Sequence, residues 1–152
     1  MLPTANFQRF NDSQRHALDT RRNLAVRANA GSGKTSVLVE RVVQLLARGR
    51  REGNSLSLGA VAAITFTRKA AAELQERLRA SFQERIQAAT EPEEQGFWAE
   101  RIDEIPRAPI GTIDGLCGRI LRDQRAYFVP ELGTRGGLMR DDEIFRHLVT
   151  PS

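Results

Sequence analysis

Three short apolar runs constrain the architecture most, because each is followed by a stretch whose apolar residues recur at helical spacing. The runs are NLAVRA (23–28), GAVAAITF (59–66) and APIGTI (108–113). After the first, KTSVLVERVVQLLARG sets Val37, Leu38, Val39, Val42, Val43, Leu45 and Leu46 in a broad stripe that stops before Gly49. This helix is expected to be well buried. After the second, TRKAAAELQERLRASFQERIQAA repeats Leu74, Leu78, Phe82 and Ile86 at four-residue intervals and places Glu73 to pair with Arg77. After the third, Ile113, Leu116, Cys117, Ile120 and Leu121 fall at i, i+3, i+4, i+7 and i+8, which puts Cys117 in the core. Strands that are apolar almost throughout, alternating with helices, predict an α/β fold: a parallel sheet with helices on both faces. Ahead of the alternation, FNDSQRHALDT opens with Asn11 as a helix cap, whereas the polar stretch TEPEEQGFWAERIDEIPR (90–107) reads as a connection. No internal repeat or low-complexity tract interrupts the pattern.

A chain of 152 residues suits one domain, one large enough to bury about 68–70% of its unfolded surface. Its 40% hydrophobic and 28% charged residues are ordinary globular composition. The net charge of +4 and pI near 10.2 favour an anionic partner, although a bias of Arg over Lys raises the pI without one. Cys117 is the only cysteine, so an internal disulfide and a cysteine-built metal site are excluded, in keeping with a reducing compartment. The opening MLPTANFQRFND lacks the apolar core of a signal peptide, and no apolar run approaches the roughly 18 residues of a membrane span. A soluble, cytoplasmic protein without a membrane partner is expected.

Between the first run and its helix lies RANAGSGKTSVL (27–38). A glycine-rich turn in this strand-to-helix setting can aim backbone N–H groups and a helix N-terminus at phosphates. Gly31 and Gly33 let the backbone wrap an anion without side-chain clash, Lys34 can reach β and γ phosphates, and the Thr35 hydroxyl can meet Mg²⁺. Lys34 and Lys69 are the only two lysines beside 21 arginines, which points to a need for a compact ammonium at those two places. The general pattern has Gly six positions before the Lys, where this chain has Ala28. The bland alternative is a glycine-rich connector followed by an ordinary helix.

These residues carry a resemblance. ANAGSGKTSVLVERV is similar to the Walker A motif of the superfamily-one DNA helicases of the UvrD, Rep, RecB and AddA kind, whose form begins with Ala, so Ala28 matches this branch. The resemblance implies that Ala28, Asn29, Ala30, Gly31, Ser32, Gly33, Lys34 and Thr35 hold ATP, with Lys34 and Thr35 as its catalytic share and Thr35 as the Mg²⁺ contact. FNDSQRHAL resembles the family's Q motif, with Gln14 in the place of the glutamine that reads adenine. An amide that donates and accepts at once suits that edge. Asn11 and Gln14 also form a capping-box pattern. The two roles can coexist.

AITFTRKAAAELQERL is similar to motif Ia, where a strand end and the next helix meet single-stranded DNA. There Thr65 and Thr67 could donate to phosphates, Phe66 offers a stacking face, and Arg68 and Lys69 add charge at the helix start. The other reading is a solvated first turn with Phe66 in the core. IGTIDGLCGRILR resembles motif Ib, with Thr112 in the phosphate-contacting place. Here the chain departs from the family, which commonly has His where this chain has Asp114, an anion in the path of DNA phosphate. Asp114 could instead cap the following helix.

ELGTRGGLMRDDEIFRHLV also looks like the stretch after motif Ib in the AddA and RecB branch, so the resemblance covers nearly the whole chain. It implies an ATP-dependent DNA helicase, or a component of a helicase-nuclease, that works on single-stranded DNA in repair or recombination. Neither RIDEIP, with Asp103 and Glu104, nor Asp141 to Glu143 follows an apolar strand, as the acidic motif required for hydrolysis does. Residues 1–152 are therefore expected to be the N-terminal part of a RecA-like domain 1A, ending before that motif. Such a piece, inactive alone, would work with the remaining helicase domains or a second polypeptide. Two other classes stay open: a small P-loop kinase or GTPase, and a nucleic-acid-binding module that needs no nucleotide.

Overall fold

A computed structural model describes residues 9–27, 29, 31–54 and 56–123. Chain contacts divide it into two units, Met1–Leu116 and Cys117–Ser152. The first holds helix α1 (Asp12–Ala17), α2 (Lys34–Arg51), strand β1 (Ala63–Thr65), α3 (Arg68–Ala88), α4 (Pro92–Glu104) and strand β2 (Ile110–Thr112). Helix α5 (Ile113–Asp123) begins in the first unit, and its residues 117–123 are what is described of the second.

The two strands run parallel, with Ala63 opposite Ile110, Ile64 opposite Gly111 and Thr65 opposite Thr112. A parallel pair needs a crossover of a dozen or more residues, and α3 and α4 fill it. The four-residue repeat on α3 buries Leu74, Leu78 and Phe82, and the same helix packs against α2, α4 and both strands. Val39, Val42, Val43 and Leu46 supply the inner stripe of α2. Glu73 pairs with Arg77 at 2.6 Å, as its spacing requires. The mixed α/β class and the parallel pairing therefore follow the sequence pattern.

Four expectations change. The run at 23–27 forms no ladder, and Leu24 and Val26 are exposed. An extended apolar segment becomes a sheet strand only where a neighbour offers its N–H and C=O groups, and among the described residues the ladder is β1 with β2 alone. Side chains alternate across a strand, and Ile64, on the face opposite Ala63, is exposed, so cover on both faces is not seen there. The stretch 90–107 is α4 and a 3₁₀ turn, Ile105–Arg107, rather than a connection. Pro92 stands in its first turn with Glu93 and Glu94, where fixed φ and negative charge both favour a helix start. Phe97 and Trp98 then enter the core: Trp98 stacks on Phe82 at 5.6 Å between ring centroids and meets the Phe97 ring edge-on at 4.9 Å. Finally, Cys117, Ile120 and Leu121 are exposed, not core, because helical periodicity identifies an apolar face without supplying anything to cover it. Leu38, in the broad stripe on α2, is exposed as well.

No helix among the described residues is long and apolar enough to cross a membrane.

Candidate nucleotide and nucleic-acid site

Asn11 starts α1 with a complete capping box. Its Oδ1 accepts from the Gln14 N–H at 2.9 Å, and Gln14 Oε1 accepts from the Asn11 N–H at 3.0 Å. The other end of the Gln14 amide leaves the helix, with Nε2 donating to the Ser32 carbonyl at 2.9 Å. Below, the Arg41 guanidinium of α2 donates to the carbonyls of Ala17 (2.9 Å), Asp19 (2.7 Å) and Arg22 (2.9 Å) and fastens the exit of α1 to α2. The Arg21 backbone N–H, and then the Arg22 guanidinium, hold the Asp19 carboxyl below its ordinary pKa.

The glycine turn uses its two glycines as turns do. Gly31 and Gly33 have φ of 75° and 77°, a left-handed region that side chains disfavour. The Asn29 carbonyl gathers three donors from within the turn: the Ser32 N–H at 3.3 Å, the Ser32 hydroxyl at 2.7 Å and the Lys34 ammonium at 2.5 Å. Gly33 is the N-cap of α2 and offers no side-chain acceptor, and the first turn of that helix contains no acidic residue. The helix therefore begins without a side-chain cap and with a cation in place of the anion that its dipole favours. Thr35 is half-buried in this turn. Ala28 and Ala30 lie outside the described residues.

Beside the turn, a cleft of about 320 Å³ is lined by Arg9, Gln14, Gly33 and Ser36 and, from α3, by Arg77 and Glu84. Arg9 approaches Glu84 at 3.8 Å. Glu40 of α2 also lines the cleft and forms a buried ion pair with Arg85 of α3 at 2.9 Å, and the Arg85 guanidinium lies over the Trp98 ring. Sequence spacing does not single out Arg9 or Arg41, and it gives Arg77 only its pairing with Glu73. Their places at the cleft and at the exit of α1 depend on which elements meet.

The second group of residues gathers where both strands end. The parallel register sets Thr65 beside Thr112, so two segments 47 positions apart share one edge. The Thr65 hydroxyl donates to the Thr67 carbonyl at 3.0 Å, and Thr67 Oγ1 accepts from the Ala70 N–H at 3.1 Å as the cap of α3. Phe66 between them is fully exposed, which removes the alternative that it packs in the core. Arg68 and Lys69, in the first turn of α3, are exposed. Thr112 Oγ1 accepts from the Gly115 N–H at 3.3 Å and so takes the capping place considered for Asp114.

The acidic stretches are equally informative. Glu104 closes α4: one oxygen accepts from the Leu58 N–H and the Ser57 hydroxyl, and the other pairs with Arg101. This carboxylate fastens α4 to the turn before β1. Asp141 to Glu143 and the stretch around them lie outside the described residues.

Comparison with known proteins places the chain in a family. The sequence model for the UvrD/REP helicase N-terminal domain matches residues 10–135. The chain is 35% identical over 144 residues to the A subunit of the ATP-dependent helicase/nuclease of Levilactobacillus brevis, covering 88% of this chain and 11% of that protein. To the corresponding protein of Lactobacillus delbrueckii subsp. bulgaricus it is 37% identical over 134 residues, with 88% and 10% covered. For the Enterococcus faecalis protein the figures are 32% over 148 residues, with 97% and 10% covered. The chain thus spans about a tenth of the length of these relatives. With the family match running from Phe10, beside the capping box, past the end of α5, the chain belongs to the UvrD/REP helicase N-terminal domain family.

Proposed function

We propose that residues 28–35 bind the triphosphate of ATP together with Mg²⁺. The chain would then be the ATP-binding part of an ATP-dependent DNA helicase, or of a helicase-nuclease component, that acts on single-stranded DNA in repair or recombination. One observation carries the nucleotide reading: α2 starts at a left-handed glycine, without a side-chain cap or acidic residue, and with Lys34 in its first turn. A polyphosphate suits the N–H groups of an uncapped helix start and the ammonium together. Lys34 would exchange the Asn29 carbonyl for phosphate oxygens, and Gln14 would meet the adenine edge. Among the described residues no group of three or more His, Cys, Asp or Glu could hold a metal ion. In this reading the Thr35 hydroxyl would hold a Mg²⁺ that comes with the phosphates, which would supply the charge neutralisation that phosphoryl transfer requires.

The edge formed by Thr65, Phe66, Thr67, Arg68, Lys69 and Thr112 is the proposed single-stranded DNA contact. Its support is the fully exposed Phe66 amid hydroxyls and two cations, the combination of stacking face and phosphate donors that such binding uses. We place the chain in the N-terminal part of a RecA-like domain 1A. Its relatives are each one component of a helicase/nuclease, which supports a second polypeptide as partner, and a DNA-repair role would place the protein in the cytoplasm.

Calorimetric titration of the chain with ATP and GTP in the presence of Mg²⁺ tests the proposal. Saturable binding with a preference for ATP is expected. Absence of nucleotide binding together with retained binding to single-stranded DNA would favour the nucleotide-independent module instead.

A further inference from the structure

We infer that Gln14 is a positioning residue for the phosphate turn itself, so that base recognition and turn geometry depend on one side chain. This role rests on the nucleotide reading above and deepens it. A capping box needs only Gln14 Oε1, which accepts from the Asn11 N–H. The Nε2 group is spare for that purpose, yet it reaches 18 residues along the chain to the Ser32 carbonyl. The approach is close: a Cβ placed on Gly33 would lie 3.0 Å from Gln14 Nε2, so the absence of a side chain at Gly33 leaves room for this contact.

The contact works from a fixed base. Asn11 caps the start of α1, and Arg41 ties the carbonyls at and beyond its end to α2. The Ser32 N–H and hydroxyl both turn back to the Asn29 carbonyl, which leaves the Ser32 carbonyl as the outward acceptor that Gln14 holds. Each end of a side-chain amide can make two hydrogen bonds, so Gln14 keeps one N–H and one lone pair for a base while it holds the turn. Loss of the Nε2 donor should therefore weaken binding of any polyphosphate, with or without adenine. A residue that only reads adenine would affect ATP alone.

The test separates these roles on the whole chain. Gln14→Glu keeps an acceptor for the Asn11 N–H, since Glu also serves at this position of a capping box, but it cannot donate to the Ser32 carbonyl. Ser13→Glu adds the same charge to an exposed position of the same helix and serves as its control. Calorimetry with tripolyphosphate, GTP and ATP should show Gln14→Glu weaker than Ser13→Glu by roughly threefold to tenfold for tripolyphosphate and GTP, the value of one hydrogen bond. The Ser32 and Gly33 amide resonances should shift in Gln14→Glu and stay in place in Ser13→Glu, while the two variants, which carry the same added charge in the first turn of α1, keep thermal midpoints close to each other. Gln14→Met, uncharged and of similar length, removes the donor without added charge, together with the capping acceptor, and should show the same losses for tripolyphosphate and GTP. Losses confined to ATP, or equal losses in Gln14→Glu and Ser13→Glu, would overturn the positioning role while leaving nucleotide binding intact. A wild-type chain that binds none of the three probes would instead remove the nucleotide reading and this inference together.

Discussion

Helix α4 begins with Pro92, Glu93 and Glu94, whereas α2 begins with Lys34 and α3 with Arg68 and Lys69, neither having an acidic residue in its first turn. A favourable charge at a helix end contributes about 0.3–1 kcal/mol, and an unfavourable one costs a similar amount. Helix α4 satisfies its own dipole and buries Phe97 and Trp98, as an element whose task is packing can. The other two forgo that stabilisation at the starts where the proposed ligands, a nucleotide and a DNA strand, would bring negative charge. A helix start that runs against its own dipole on an exposed edge is thus a pointer to an anion, and the three starts can be altered independently.

The largest effect is expected at α2. Lys34→Ala removes the ammonium now on the Asn29 carbonyl and should lower ATP affinity by at least about a hundredfold, as charge-assisted contacts to phosphate are among the strong ones. Titration of the mutant with unchanged affinity would erase the distinction between α2 and α4. At α3, Phe66→Ala should weaken single-stranded DNA by roughly 1–3 kcal/mol if a base stacks there. Since Phe66 is fully exposed, the thermal midpoint should not move. Replacing Arg68 and Lys69 by Gln should reduce the salt slope of that binding by about 1.4, from about 0.7 per phosphate contact. Equal slopes in mutant and parent would make these cations ordinary surface charge.

Helices α3, α4 and α5 show what a single chain reveals of its fold. Helix α3 was legible because Leu74, Leu78 and Phe82 repeat at helical spacing and all three are buried. Helix α4 was not, because its inner face includes Arg101, whose guanidinium lies over the Phe97 ring at 4.6 Å. A buried charge breaks the apolar count even when its stem and π contact suit the interior. The starting signal of Pro92 followed by two glutamates was present, and it outweighs the polar composition of the stretch. For α5 and the run at 23–27 the patterns were real, but periodicity cannot say whether a partner strand or covering element is at hand. Similarly, the Gln14 capping box could be read from spacing to Asn11, while its bond to Ser32 depends on how α1 meets the turn.

A smaller change tests whether the uncapped start of α2, without an acidic residue, is the cause rather than a correlate. Ser36 is the third residue of that helix and lines the cleft beside the turn. Ser36→Glu gives α2 the charge that α4 already has, and it should raise stability by about 0.3–1 kcal/mol while lowering ATP affinity by roughly tenfold. Opposite signs in thermal melting and nucleotide titration are the expected pair. A variant that is more stable yet binds ATP as before would mean that the donors of this helix face nothing in function.

The smallest effect belongs to α4, where the same physics has no ligand to serve. Glu93 is exposed in the first turn and reaches no core side chain, so Glu93→Gln removes charge with little change of shape. Glu94 suits the test less well, because its Oε1 lies 3.5 Å from Trp98 Nε1. The dipole contribution predicts a loss of about 0.3–1 kcal/mol at low ionic strength, and screening should shrink it as salt approaches 1 M, where the Debye length is about 3 Å. ATP and DNA affinities should both stay at their parent values, since α4 supplies none of the residues at the turn or the strand ends. Chemical denaturation at low and high salt, run beside the two binding assays, reads all of this in one variant. If Glu93→Gln instead weakens either ligand, then α4 does more than pack, and its negatively charged start cannot stand as the reference against which α2 and α3 are judged.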